Sequence, residues 1–320
     1  MNNHKTIIND REKKETQRTI SFISIILALF MGAIEGTIVS TAMPEIVGEL
    51  GGFSLYSWVF SSYLLMNTVT VLIYGKLSDL FGRKPVLLFG ISVFLLGSIG
   101  AGLAWSMQSL IAFRFIQGFG AGAITPVAMT IVGDIYTKEE RAKVQGYISS
   151  VWGISAILGP ALGGVLIEYV SWSWIFWINL PIGLLSAGGL LFFYHEHRKV
   201  EKQKIDYRGS LLLTVSLSLL MFLLVDGGTA FSWLSLTSLL IILSILILLI
   251  IFVKQQNKAS EPIMPFTIWN NKSILFANIT SLTTGVILIG ISSYLPTFVQ
   301  GVMGKSPTIA GFTLTAMSIG

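Results

Sequence analysis

Long apolar runs separated by short polar connections dominate this 320-residue sequence. A helix that crosses a bilayer needs about 20 apolar residues, and nine of the runs are long enough. We place these spans at residues 20–43, 55–74, 85–105, 108–132, 143–168, 172–194, 209–226, 233–253 and 273–295. A tenth run begins near Pro307 and is still apolar at Gly320. The pattern predicts an all-α fold, a polytopic bundle of membrane helices.

The basic residues predict how this bundle is oriented. Of the 21 lysines and arginines, 19 lie before the first span or in the connections that follow even-numbered spans. Positive residues concentrate on the cytoplasmic side of membrane proteins. We therefore expect a multi-pass protein of the cell membrane with a cytoplasmic N-terminus.

Composition excludes several other classes of protein. The chain is 53% hydrophobic and only 12% charged, whereas soluble domains carry about 25% charged residues. The formal charge is +5, and the basic residues behind it lie mostly in the connections between spans. Their placement indicates membrane topology and not a nucleic-acid partner. There is no cysteine, which excludes disulfides, thiolate metal sites and a cysteine nucleophile. We expect no metal and no cofactor.

Two ionisable residues lie inside predicted spans, where such groups are costly and usually functional. Glu35 lies about 12 Å from the outer end of span one, and Arg114 about 9 Å into span four, at 1.5 Å per residue. Their similar depths allow a direct pair or a shared aqueous cavity. Glu35 is the candidate proton-binding residue and Arg114 its coupling partner. The alternative is a static pair that only holds two helices together.

Small residues form stripes on spans four and five. On span four one helical face carries Arg114, Gln117, Gly118, Ala121, Gly122 and Thr125. Span five carries Ser155, Gly159, Pro160, Gly163 and Gly164. Small residues let helices approach closely, and a proline bends its helix, so span five suits either a gating contact or a static kink. Candidate residues of a substrate cavity are Met31, Gln117 and Trp152.

A charged hinge, Gly75–Lys84, joins spans two and three. Its sequence, GKLSDLFGRK, resembles the loop signature of the major facilitator superfamily, with Leu80 in place of the usual basic residue. Leu110, Arg114, Gln117, Gly118 and Gly120 resemble the superfamily's span-four motif. The glycines and Pro160 of span five resemble its antiporter motif, with Ser155 where glycine is usual. Glu35 to Pro44 and Trp174 to Gly183 resemble motifs of the 14-helix drug:proton antiporter branch, with Glu35 where aspartate is commoner.

The resemblance implies export of lipophilic or cationic drugs, driven by the proton motive force, with alternating access between two six-helix bundles. In such proteins the hinge is a latch between the bundles on the cytoplasmic side. Gly75, Asp79, Gly82 and Arg83 would form it, with Asp79 and Arg83 binding the opposite bundle. The expected partners are a small-molecule drug, protons and the lipid bilayer.

The resemblance also predicts the domain organisation. We assign residues 1–19 to a cytoplasmic tail, 20–194 to the N-terminal six-helix bundle and 195–208 to a cytoplasmic linker. Residues 209–253 would be two extra central helices, and 254–320 the start of an incomplete C-terminal bundle. A 14-helix member needs about 180 more residues, at roughly 20 per span plus connections. We therefore expect a C-terminally truncated chain, lacking its C-terminal half, that does not transport alone.

Three other functions stay open at this point. The chain could belong to a transporter of a specific polar solute in the same superfamily, although the antiporter-like span five disfavours this. A non-transporting or degenerate fragment is a second alternative. An enzyme is disfavoured, because all three histidines lie in hydrophilic segments outside the spans.

Overall fold

The computed structural model describes residues 2–196 and 206–319, which form helices joined by short connections. Nine of the described helical segments are long and apolar enough to cross a membrane, which confirms the predicted number of complete spans. The helices are α1 (Asn2–Leu50), α2 (Tyr56–Phe81), α3 (Arg83–Gly102), α4 (Met107–Ile135), α5 (Lys138–Tyr169), α6 (Trp174–Trp177), α7 (Asn179–Phe193), α8 (Tyr207–Asp226), α9 (Leu236–Lys258), α10 (Lys272–Gly301) and α11 (Pro307–Ile319).

Local sequence explains where these helices begin and break. Ser106 caps α4 by accepting from the backbone nitrogen of Ser109, and Thr137 caps α5 through Glu140. Gly82, at φ 100°, separates α2 from α3. The predicted sixth span is divided into α6 and α7 at Ile178. Pro181 explains the break, because it has no N–H to donate to the carbonyl of Trp177.

The first seven helices form one packed bundle. Helix α4 lies against both α2 and α3, while α1 packs against α5 and α7. Glycines permit the close crossings: a side chain at Gly118 would lie 2.4 Å from the carbonyl oxygen of Tyr63, and one at Gly97 would lie 2.5 Å from the backbone nitrogen of Gln117. The resulting core is apolar, and residues such as Ile91 within it are completely buried.

The later helices pack onto this bundle through α1, α2 and α5. Helices α8 and α9 form a pair, and α8 contacts α2, where the indole nitrogen of Trp58 donates to Asp226 at 3.2 Å. Helix α11 lies along α5, and α10 contacts α1. The start of α2 contacts both added units, because Trp58 bonds to Asp226 at the end of α8 and the hydroxyl of Ser57 lies 2.9 Å from that of Tyr294 on α10.

The structure describes most of the predicted tail and only part of the predicted linker. Helix α1 begins at Asn2, so the described part of the predicted tail at residues 1–19 is helical and continuous with span one. Within the predicted linker at residues 195–208, residues 197–205, including His197, lie outside the described residues. The division into functional domains stays a prediction.

Candidate functional site

Glu35 and Arg114 form a salt bridge in the interior of the bundle. The Nη1 atom of Arg114 donates to Oε1 of Glu35, and both side chains are almost completely buried, at 2% and 0% exposure. Of the two arrangements that the sequence allowed, the structure has the direct pair. A buried ion pair is stable only when its remaining donors and acceptors are also satisfied.

Helix α4 itself and the neighbouring helices supply those partners. Arg114 donates from Nη1 to Oε1 of Gln117 at 2.7 Å and from Nε to the carbonyl of Val59 at 3.1 Å. The side-chain nitrogen of Asn179, on α7, donates to Oε2 of Glu35 at 2.8 Å. Gln117 in turn donates to the hydroxyl of Ser98, on α3, at 2.8 Å. One hydrogen-bonded network thus joins α1, α2, α3, α4 and α7.

Aromatic rings enclose the guanidinium of this network. Its central carbon lies 4.3 Å from the ring centroid of Tyr63 and 5.9 Å from that of Phe176. Cations are attracted to aromatic faces, so Arg114 keeps favourable contacts even where the carboxylate is neutralised. Glu35 can therefore either carry a proton or pair with Arg114, and Arg114 keeps some of its contacts in both states.

The hinge Gly75–Lys84 is tied to its own bundle through Arg83 and Lys84, and to the segment after α9 through Lys76, whose Nζ lies 2.9 Å from Oε2 of Glu261. Arg83 forms an ion pair with Asp134 at the end of α4. The carboxylate of Glu196 accepts from the backbone nitrogens of Arg83 and Lys84, at 2.7 and 3.2 Å, and so caps α3. Lys84 Nζ donates at 2.8 Å to the carbonyls of Leu191 and Tyr194, at the end of α7. The N-terminus of α3 and the C-terminus of α7 therefore cap each other: Glu196 accepts from the first nitrogens of α3, and Lys84 donates to the last carbonyls of α7.

The latch residues themselves differ in their surroundings. A side chain at Gly82 would lie 2.9 Å from Glu196 Oε2, and its positive φ also favours glycine. A side chain at Gly75 would meet nothing within 4 Å. Asp79 is half-buried and makes no ion pair with any residue that the structure describes. Arg83 bonds within its bundle, whereas the sequence predicted a partner in the opposite one.

The small-residue stripe of α5 serves two helix contacts. Side chains at Gly159 and Gly163 would lie 2.0 Å from Thr37 Oγ1 and 2.1 Å from Thr41 Oγ1, both on α1. Its other edge faces α11, where Gly164 lies against Pro307 and the carbonyl of Pro160 lies against Gly311. The hydroxyl of Ser155 is buried without a partner among the described residues, while its carbonyl accepts from Thr37 at 3.2 Å.

The candidate cavity residues differ in their burial. Met31 is completely buried in the core of the bundle, and Trp152 on α5 is 50% exposed. Gln117 belongs to the Glu35–Arg114 network and is fully buried. A role for these residues in substrate binding stays a prediction.

Sequence reasoning missed Asn179 and Ser98 as parts of the site. Both are completely buried. An amide in an otherwise apolar span is a usable signal, because a polar group inside a membrane needs a partner. Ser98 gave a weaker signal, since serines can hydrogen-bond to their own helix backbone.

Relatives with curated names are transporters. The chain is 41% identical over 307 residues to "Multidrug resistance protein 3" of Bacillus subtilis (strain 168), covering 96% of this chain and 60% of the relative. It is 34% identical over 302 residues to "Multidrug efflux pump SdrM" of Staphylococcus aureus (strain N315), covering 94% and 66% respectively. The chain thus spans about 60% of the length of the first of these relatives.

Solved structures support the same fold. A peptide transporter POT in complex with sulfate matches with a TM-score of 0.62 at 17% identity, over 95% of this chain and 65% of the other. A bacterial homolog of the human lysosomal transporter Spinster matches at 0.60 and 15% identity, over 94% and 60%. The family model described as Major Facilitator Superfamily matches residues 25–320. The chain therefore belongs to the Major Facilitator Superfamily.

Proposed function

We propose that this chain carries the proton-coupling site of a secondary transporter that exports lipophilic or cationic drugs. Export would cross the cell membrane by alternating access, with the N-terminus of the chain in the cytoplasm. Two relatives that are named for multidrug resistance or efflux support the substrate class. The single observation that carries the proposal of coupling is the buried ion pair of Glu35 and Arg114.

Coupling follows from competition for the Glu35 carboxylate. A proton on Glu35 removes the negative charge that Arg114 and Asn179 bind. Arg114 then keeps the carbonyl of Val59, the amide of Gln117 and the face of Tyr63. Protonation thus weakens the link from α4 to α1 while α4 keeps its other contacts.

The pair is closed to water in the described structure, because both side chains are almost completely buried. A proton reaches Glu35 only if α1, α4 and α7 move apart. Such an opening changes the accessibility of the site, as alternating access requires. A cationic drug bound near the deprotonated carboxylate would be released when Glu35 takes up a proton.

Contacts between the first bundle and α10 form a candidate gate. The hydroxyl of Tyr56 donates to the carbonyl of Ser293, and the rings of Tyr56 and Tyr294 stack with centroids 5.3 Å apart. Gln300 donates to the carbonyl of Thr41 at 3.1 Å. By the proposed topology these residues lie towards the outer side. They would separate when the site opens outward.

Ethidium transport by the full-length gene product tests this function. Everted membrane vesicles that contain it are expected to accumulate ethidium when respiration acidifies their lumen, and to lose it when a protonophore collapses the gradient. Vesicles without the protein are the control. Absence of gradient-dependent accumulation of ethidium and of other lipophilic cations, together with proton-linked uptake of a sugar, would instead favour a transporter of a polar solute.

A further inference from the structure

The side-chain oxygen of Asn179 has no hydrogen-bond donor among the residues that the structure describes. Asn179 is completely buried, and its nitrogen is the atom that faces the site, at 2.8 Å from Oε2 of Glu35. Buried polar atoms normally have a partner. An unpaired acceptor on a side chain that contacts the candidate proton-binding residue therefore needs a physical reason.

The charge of Glu35 explains why the amide has this orientation. An ionised carboxylate has acceptor atoms only. If the amide were reversed, the oxygen of Asn179 would face Oε2 of Glu35, and two acceptors would oppose each other without a hydrogen between them. The nitrogen is therefore held towards the carboxylate as long as Glu35 is charged, and the oxygen of Asn179 stays unpaired.

A proton on Oε2 of Glu35 reverses this preference. The protonated oxygen becomes a donor, and it then faces another donor, the side-chain nitrogen of Asn179. A turn of about 180° about χ2 exchanges the nitrogen and oxygen of an amide, and this torsion is roughly two-fold in asparagine. The reversed amide needs little extra space, and its oxygen would accept the hydrogen of Glu35.

Ser98 can supply a second donor to the reversed amide. Its hydroxyl accepts in both of its hydrogen bonds, from Nε2 of Gln117 at 2.8 Å and from Nδ2 of Asn179 at 3.5 Å. The hydrogen of this hydroxyl is therefore free to turn towards the oxygen of Asn179 after the reversal. The oxygen would then accept from Glu35 and Ser98, and the nitrogen would take the unpaired position.

We infer that Asn179 is a positioning residue whose side-chain amide reverses when Glu35 takes up a proton. The inference rests on the proposed role of Glu35 as the proton-binding residue. The amide donates to the carboxylate in one state and accepts from the carboxylic acid in the other, so Glu35 has a partner on α7 in both. The second bond joins neutral groups and is weaker than the charge-assisted bond that it replaces.

Arg114 cannot make the same exchange. Arg114 and Tyr63 are the charged and titratable groups around Glu35 in the described part of the chain. A guanidinium carries donors only, so Arg114 cannot accept from a protonated Glu35. Protonation therefore weakens the link from α1 to α4 more than the link from α1 to α7.

Infrared difference spectra of the full-length protein in lipid nanodiscs test the inference. Spectra at low and high pH are subtracted, and the carboxyl bands that Glu35→Gln abolishes are assigned to Glu35. One is the C=O stretch of the acid, and the other is the antisymmetric stretch of the carboxylate. Asn179→Leu should shift both bands, because each protonation state loses its partner on α7. Asn278→Leu, at an exposed position on α10, should shift neither.

A second measurement uses wild-type protein with asparagine that is isotope-labelled at its side-chain carbonyl. An amide C=O band that moves with the label should appear in the difference spectrum. It should lie at lower frequency at low pH, because the oxygen of Asn179 then gains donors. The band should be absent from the spectra of Glu35→Gln and of Asn179→Leu.

The two measurements separate the inference from the proposed function. A shift of the carboxylate band alone in Asn179→Leu would mean that Asn179 only donates, and would overturn the inference. Absence of the labelled amide band from the wild-type spectrum would overturn it as well. Absence of an acid band of Glu35 at every pH at which the protein is folded would instead contradict the proton-binding role of Glu35, on which the inference rests.

Discussion

The side-chain nitrogen of Asn179 lies 2.8 Å from Oε2 of Glu35, while Arg114 binds Oε1 of the same carboxylate. The carboxylate of α1 is therefore held from α7 and from α4 at once. Neither neighbour alone satisfies both oxygens. Protonation of Glu35 weakens both links, which makes α7 a participant in any opening of the site.

Asn179→Ala is expected to destabilise the bundle. Hydrogen bonds to charged groups contribute about 1.5–3 kcal/mol, so the melting temperature in detergent should fall by several degrees. Asn278→Ala, at an exposed position on α10, is the matched control and should change the melting temperature little. Equal melting temperatures for Asn179→Ala and the control would show that Asn179 does not hold Glu35.

Gly163→Ala tests whether α5 must approach α1 closely. The added carbon would lie 2.1 Å from Thr41 Oγ1 and 3.0 Å from the carbonyl of Ile38. Overpacking of this kind typically costs about 1–3 kcal/mol, so thermal stability should fall. Gly153→Ala, on the same helix with nothing within 4 Å, should stabilise by up to about 1 kcal/mol. We expect Gly163→Ala to lower the thermal stability and Gly153→Ala to raise it. Equal changes in stability for the two variants would contradict a close α1–α5 contact.

Glu196→Ala tests the capping of α3 at the hinge. Removal of the carboxylate leaves the backbone nitrogens of Arg83 and Lys84 without their acceptor. Loss of a helix cap costs about 1 kcal/mol, so the variant should melt at a lower temperature. Glu196→Gln keeps one acceptor oxygen and should fall between wild type and Glu196→Ala. Glu45→Ala is an exposed control, and a melting temperature equal to that of this control would remove Glu196 from the cap.

Much of this fold could be predicted from the sequence because membrane helices carry strong local signals. The lengths of the apolar runs gave the spans, and similar depths suggested that Glu35 and Arg114 could meet. Their other partners could not be predicted, because the rotation of each helix about its axis decides which polar groups face each other. Asn179 is 144 residues from Glu35, and only packing brings them together.

The hinge shows the same limit. Its charges indicated a cytoplasmic connection and a latch, yet the residue that caps α3 lies after the sixth span. Glu196 stands in a charged segment where several carboxylates and cations alternate, so no local signal distinguishes it. The break between α6 and α7 could have been predicted from Pro181, because a proline has no backbone N–H to donate within a helix.

Labelling of single cysteines tests the proposed orientation. The 320-residue sequence has no cysteine, so within it each introduced thiol reports alone. Ser54→Cys, in the connection between α1 and α2, should react in intact cells with a membrane-impermeant maleimide. Ser260→Cys, after α9, should react only after the membrane is opened; the reverse pattern would invert the topology.

The central claim is that Glu35 couples protons to drug movement. The most direct measurement compares wild-type and Glu35→Gln full-length protein in proteoliposomes, following ethidium and internal pH together. Wild type should move protons with ethidium, and a pH gradient should drive ethidium uphill. Glu35→Gln should lose both while it still exchanges ethidium across the membrane without a gradient, because exchange needs no proton. Uphill, proton-linked ethidium transport by Glu35→Gln would contradict the account.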